Sequence, residues 1–468
     1  MKKFTLLFSA MILFLFTQAQ SFDELQKIYA GDGTTGNHFG WSIDLGSDYL
    51  VVGQPEGYGG GSVYVFIKNN GTWIQLSKIR ASDTDGNNKF GERVSTDGEF
   101  ILVGAPGKRV NGQSTGAAYF YKAGNGTWEE QEIIGEASDH FGSSVAIYGD
   151  YALIGADRTG FTNSYAFLYH YNGTAWEEVQ ELHNLSALWF GKSVALTDDM
   201  AVIADDNNIH LYNFSDDTLA YLTTLTYGNS GDEFGSTLCM SDDYIVAGSW
   251  GSDENGDNAG SVYVFHKLAN MWVLNTQLIP DSVKAGDRFG SSVALSGDYL
   301  VAGALYDYDE TDSTEQKGSA YIFHVDENDN WELVQKIIPS DADYHTFFGT
   351  SATIRDGEIF VSGYGGDGID GFTGAAWYYG NSSTGIYEQK DIPLSLYPNP
   401  AHDALYIETE HNNIDLLQVI DISGRTVIVR KNLPERTTLD ISALTEGLYF
   451  LSVQSGNTTT TTRKFIKK

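Results

Sequence analysis

The sequence predicts an all-β chain, a seven-bladed β-propeller followed by a small Ig-like β-sandwich, from three observations. The dipeptide Phe-Gly recurs at Phe39, Phe90, Phe141, Phe190, Phe234, Phe289 and Phe348, with spacings of 44 to 59 residues. Each copy opens the same succession of short alternating runs, rich in β-branched and aromatic residues and bounded by Gly, Asp and Asn. From Pro393 the period stops, and a strongly acidic composition gives way to a balanced one.

Residues 1–20 open with Met1-Lys2-Lys3, run through the apolar stretch Phe4 to Phe16 and leave through Thr17 to Gln20. A charged start, an apolar middle and a small-residue exit make a secretory leader, cleaved near Gln20. The apolar run is shorter than the roughly 20 residues a spanning helix needs, and no later segment approaches that length. The exit carries no cysteine, which argues against a lipoprotein. The single cysteine, Cys239, lies in a strand pattern where a sister repeat has Ala294, so a small core residue is expected and no disulfide framework.

Residues 21–392 hold the repeats. The sixth copy is the clearest: FGSSVALS from Phe289, GDYLVAGA from Gly297, GSAYIF from Gly318 and WELVQKI from Trp331. Four strands per copy follow, the first two joined by short hairpin turns such as Ser296-Gly297-Asp298 and Asp356-Gly357. The second strands carry a small residue at their third place, Gly53, Gly104, Gly155, Ala204, Gly248, Gly303 and Gly363, as close backbone approach near an axis requires. Four-stranded units at a period near 50 fit a propeller, whose ring closure protects the sheet edges, and it is favoured over a solenoid because the copies stop at seven and a strand-like segment precedes the first Phe-Gly. Two segments compete to close the ring: Leu25 to Ile28, which is similar to the fourth strands at Leu76 to Ile79 and Val334 to Ile337, and Tyr387 to Lys390.

These motifs carry a family likeness. Phe-Gly followed about a dozen residues later by a Gly-Ala-Pro-like element resembles the FG-GAP repeat of integrin alpha-subunit propellers and of many exported bacterial proteins. The aspartate-rich calcium loop common in integrin repeats is reduced here to a short turn. The bacterial subtype, with Gly61 to Phe66 before Trp73 and Gly260 to Phe265 before Trp272, matches better. The tail, residues 393–468, resembles the C-terminal sorting domain of the type IX secretion system: Leu396 to Pro400 opens it, Ile420 to Arg425 sits mid-way, and Gly447 to Val453 with Lys464 to Lys468 closes it. That resemblance implies passage across an outer membrane, recognition by the export machinery, and often tail removal with attachment to surface lipopolysaccharide.

Charge excludes one class of partner. Setting aside the two leader lysines and the eight basic and eight acidic residues from Pro393 onward, residues 21–392 hold 18 Lys or Arg against 54 Asp or Glu. Such a surface repels nucleic acid and anionic membranes.

Propeller ligands are expected on the face carrying the loops between strands two and three and between blades, because these vary in length without disturbing the sheets. Trp73, Trp128, Trp176, Trp272 and Trp331 recur at the start of the fourth strand and read as scaffold, whereas Trp189, Trp250 and Tyr364 break the pattern near loops and are the ligand candidates. Asp253, Asn255 and Asp257 alternate in DENGD and could turn three oxygens toward one calcium ion; Asp83, Asp85 and Asn87 repeat the spacing, and Asp307, Asp309 and Asp312 do so more loosely. No HExxH motif occurs and the ten histidines are scattered, so the expectation is a non-catalytic module at the cell surface that binds a protein or glycan. The alternatives are a propeller hydrolase or lyase acting on extracellular polysaccharide, and a matrix component.

Overall fold

Short hairpin turns between alternating runs give each strand its sequence neighbour as partner, and the chain follows that rule through seven successive antiparallel sheets. The computed structural model describes residues 21–381 and 394–468 apart from short loop segments, of which 158–163, 309–315 and 366–372 are the longest; the leader, residues 1–20, lies outside the described residues. Sheet one runs Ser42–Leu45, Leu50–Gln54, Ser62–Asn69, Thr72–Ile79, in spatial order. Sheets two to six repeat that order, starting at Arg93, Phe141, Val194, Thr237 and Phe289.

Sheet seven contributes only Ser351–Arg355, Glu358–Gly363 and Ala375–Asn381 from its own repeat. Its outer strand is the N-terminal Phe22–Ile28, antiparallel to Ala375–Asn381 with Phe22 opposite Asn381 and Ile28 opposite Ala376. Of the two sequence candidates for this place, the N-terminal one occupies it; Tyr387 to Lys390 lies outside the described residues. Phe22 and Ile28 are buried while Leu25 faces solvent, and Phe22 meets Tyr299 of sheet six edge-on at 5.5 Å. First strands touch around the whole set, and Ser351–Arg355 returns to Ser42–Leu45. A closed ring of this kind is consistent with a propeller and leaves no open sheet stack for a solenoid.

The repeated Phe-Gly explains how neighbouring sheets join. All seven phenylalanines are buried, and Phe39, Phe90, Phe234 and Phe289 each stand edge-on to a tyrosine of the same sheet's third strand, at 5.1 to 5.3 Å. The glycines have φ between 74° and 95°, as the third residue of a type II turn demands. In six copies that turn is closed by a backbone hydrogen bond from the residue after glycine to the one before phenylalanine, as in Glu92 N–H to Lys89 O at 3.0 Å.

The small residue of the second strand faces the next repeat's Phe-Gly glycine. A Cβ on Gly53 would drive into the Gly91 carbonyl, and one on Gly303 into that of Gly349. Sheet seven departs from the expected glycine. Ser351 pairs with Ser362 as Ser42 pairs with Gly53, so the equivalent residue is Ser362, not Gly363. Its hydroxyl turns the contact into a hydrogen bond to Gly40 O at 2.5 Å. Hydroxyls on the first strands make similar inter-sheet links, from Ser42 to Gly91 O, Ser144 to Gly191 O and Ser292 to Gly349 O, at 2.6 to 3.0 Å.

The fourth-strand tryptophans are scaffold, as expected: Trp73, Trp176, Trp272 and Trp331 are buried, and Trp128 is half-buried with its Nε1 donating to Ser77 Oγ at 2.9 Å. Cys239 packs beside the core between sheets five and six but is only partly buried. In the tail, Leu394–Tyr397, Ala404–Thr409 and Arg436–Asp440 form one sheet, and Thr426–Leu433, Ile414–Asp421, Gly447–Ser455 and Thr459–Lys467 another. Leu405 and Ile407 from the first share a core with Leu417, Val419, Leu451 and Phe465 from the second.

Candidate ligand-binding face

Antiparallel order sends the loops between strands two and three, and those between sheets, to one end of the ring. The residue before each Phe-Gly sits at that end in the left-handed region: His38, Lys89, His140, Trp189, Glu233, Arg288 and Phe347 have φ between 49° and 58°. This conformation costs a non-glycine residue on the order of 1 kcal/mol. Its recurrence in all seven repeats makes it part of the turn, and the side chain is then free to differ from copy to copy. Two unlike halves result.

One half is aromatic. The Arg288 guanidinium lies 4.5 Å from the Trp250 ring centroid and 4.7 Å from that of Tyr306. Tyr306 meets Phe347 edge-on at 5.6 Å, and Phe347 stacks on Tyr364 at 4.8 Å with 17° between planes. Trp41 at 4.9 Å and His38 at 5.2 Å from Tyr364 extend the band into sheet one. These rings are half-buried, so each keeps surface for a ligand. Burial, and then Tyr306, push the Tyr364 hydroxyl up to about 12, keeping it a neutral donor at physiological pH.

The other half is a charged cleft of about 550 Å³ walled by Glu56, Lys89, Glu92, Arg93, Arg109, His140, Asp157 and Lys192. Burial is the main cause that raises the Asp157 carboxyl to about 6, against the opposing pull of His140 and Arg93. Burial also lowers the Lys192 ammonium, although Glu233 stands 3.5 Å away.

The structure sorts the candidates. Trp250 and Tyr364 both fall into the aromatic band, Trp250 at one end and Tyr364 within it. Trp189 lies on the same face, but its ring joins no aromatic contact among the described residues and its Nε1 is buried without a partner. In the DENGD loop, Asp253 Oδ1 accepts from the Asn258 backbone at 2.8 Å, Asp257 Oδ1 from the Asn258 side chain at 2.9 Å, and Asn255 Nδ2 donates to Val283 O at 2.5 Å. Asp83 pairs with Lys108 and accepts from Tyr119 at 3.0 Å; Asp85 and Asn87 lie outside the described residues, as do Asp309 and Asp312. Asp307 is buried against Lys336 at 2.7 Å. His38, Trp41, Arg288, Tyr306 and Phe347 were not singled out from sequence, although three of them directly precede a Phe-Gly and could have been found there.

Comparison with known proteins agrees with the repeats and the tail. The FG-GAP repeat model matches residues 22–66, 73–121, 133–167, 224–265 and 272–323, and the model of the secretion system C-terminal sorting domain matches 395–468. No curated protein matches the chain. Solved structures similar to it include candidate 6-phosphogluconolactonases of Bacteroides uniformis and Bacteroides fragilis. The first is 12% identical, with 65% of this chain and 86% of that chain covered and a TM-score of 0.46. The second is 13% identical, with 70% and 97% covered and a TM-score of 0.46. A protein of Lactobacillus plantarum is 12% identical, with 84% and 99% covered and a TM-score of 0.47. Similarity at this level assigns neither ligand nor activity. With its repeats, its sheets and its tail in agreement, the chain carries FG-GAP repeats between residues 22 and 323 and ends in a type IX secretion sorting domain, which directs it to the cell surface or beyond.

Proposed function

We propose that this exported protein is a binding or adhesion module whose loop face engages a glycan or protein ligand. The domain reading behind it is a cleaved leader at 1–20, a seven-bladed propeller over 21–392 and an Ig-like sandwich over 393–468 that serves export and anchoring. Seven four-stranded sheets in a closed ring support the propeller, and two sheets around one core support the sandwich. The observation that carries the functional reading is the aromatic band from Trp250 to Trp41. Five segments from four adjoining sheets bring large, half-buried rings to one rim, and such rings give sugars and side chains wide apolar contact with little loss of rotamer freedom.

The test is a glycan and matrix-protein array probed with the full mature chain, in calcium and in chelator. A specific hit supports the reading, and a hit lost in chelator adds the Asp253 loop as a calcium site. Silence in both conditions overturns it. A hydrolase or lyase reading has one observation in its favour: Asp157, held partly protonated near neutral pH in a cleft beside His140 and Glu92. Release of reducing ends from polysaccharide by the native chain, abolished in Asp157→Asn, would establish that reading instead.

A further inference from the structure

The charge of the ligand can be read from the most unusual cation on the loop face. Arg288 precedes the sixth Phe-Gly, and its guanidinium is clasped between the faces of Trp250 and Tyr306. No ion pair or side-chain hydrogen bond engages it among the described residues. Among the described residues, face contacts leave the five N–H donors along the guanidinium edge without a side-chain acceptor. A fork fixed by two rings, with its donors free, is suited to bidentate capture of a carboxylate or sulfate.

Two of the acidic groups beside it are muted. Asp287, next in the chain, is buried, and burial followed by the charge of Asp307 raises it to about 7, so its negative charge is incomplete at neutral pH. Asp307 itself is neutralised by Lys336 at 2.7 Å. The overall excess of acid, 54 against 18 over residues 21–392, is spread over the surface, and beyond about 8 Å it is screened at physiological ionic strength. Local groups therefore decide. Across the axis, the charged cleft holds Lys89, Arg93, Arg109 and Lys192 against three carboxylates, in a region that as a whole has three acids for each base.

We infer that the loop face takes an acidic glycan, with Arg288 holding a sugar carboxylate or sulfate while the sugar ring lies against the exposed surface of the adjoining aromatic band. This rests on the loop face being the binding face, and adds the ligand's chemical class. Aromatic faces accept the apolar side of a pyranose, and the guanidinium selects the anionic substituent, so ring and charge are read by adjoining groups.

The experiment is affinity electrophoresis of the full mature chain in gels containing polygalacturonate, its methyl-esterified form, a sulfated galactan or its desulfated form, with polyglutamate as a non-sugar polyanion. Retardation by an acidic polysaccharide, at least tenfold weaker in the matching neutral polymer and in Arg288→Gln, is expected. Polygalacturonate alone would identify a carboxylate ligand, and the sulfated galactan alone a sulfate. Arg288→Lys should restore only part of the affinity, since a lysine keeps the charge but loses the fork. If Arg288→Gln fails to fold, Arg288→Lys together with the loss of native binding between 50 and 500 mM salt, about tenfold or more, carries the test. Equal binding of acidic and neutral polymers, or unchanged binding by the folded variant, overturns the inference and leaves the loop-face reading standing. Polyglutamate bound as tightly as any polysaccharide overturns the glycan assignment. No retardation by any polymer overturns the inference, and the array then decides the wider reading.

Discussion

The two halves of the loop face are built on one backbone and carry opposite chemistry. From sheet five round to sheet one the rim is Trp250, Tyr306, Phe347, Tyr364 and Trp41 with one clasped arginine; from sheet one to sheet four it is a cleft of lysines, arginines and carboxylates. The same left-handed residue before Phe-Gly supplies Arg288 and Phe347 on one side and Lys89 and His140 on the other. The difference teaches that the repeat fixes where a side chain emerges and leaves its identity open. Scaffold and site are thereby separated at the level of single positions.

That separation can be broken most severely at the inter-sheet glycines, which should behave alike in both halves. Gly53→Ala beneath the charged side and Gly303→Ala beneath the aromatic side each push a methyl group into a neighbouring carbonyl. Each is expected to cost about 3 kcal/mol, read as a clear fall in the thermal unfolding midpoint. A marked effect at only one of the two would mean that the halves do not share a scaffold.

A smaller effect sharpens the contrast through pH. Asp157 titrates near 6 in the folded chain, above its ordinary 3.8. A carboxyl with a raised folded pKa stabilises fully below the unfolded value, and that contribution is lost as pH rises through the folded value. Asp157→Asn should therefore leave stability near pH 4 little changed and raise it at pH 8 by about 1 to 3 kcal/mol. A difference between variant and native chain that does not grow from pH 4 to pH 8 would remove the buried-carboxyl description of the cleft.

The smallest expected effect is Arg109→Gln, an exposed cleft residue whose loss should move stability by less than about 0.5 kcal/mol. A larger shift in the unfolding midpoint would mean that the charged half is structural.

Much of the fold was legible because it is periodic. Seven buried phenylalanines, each followed by a turn glycine, announce themselves at a regular spacing, and the N-terminal closing strand is visible as a stray fourth-strand pattern. The register of sheet seven was not: Ser362 replaces a glycine by exchanging close approach for a hydrogen bond, and a neighbouring Gly363 disguises the offset. The site was legible only in part. Trp250 and Tyr364 stand out because they break the tryptophan period. Arg288, Phe347 and His38 do not, because their significance comes from ring closure, which brings residues 38 and 364 within 5.2 Å. Asp157 owes its raised pKa to burial, which no local motif encodes.

The central claim, that the aromatic half of the loop face does the binding, is tested most directly by probing one glycan and matrix-protein array with three chains: native, Phe347→Ala/Tyr364→Ala, and Gln180→Ala, the last on an outer strand away from the rim. The expected result is that the double variant, still folded, loses the native hits at least tenfold, as the removal of two stacked rings worth about 1.5 kcal/mol or more implies, while the outer-strand variant keeps them. Native hits that survive in the folded double variant would contradict the claim.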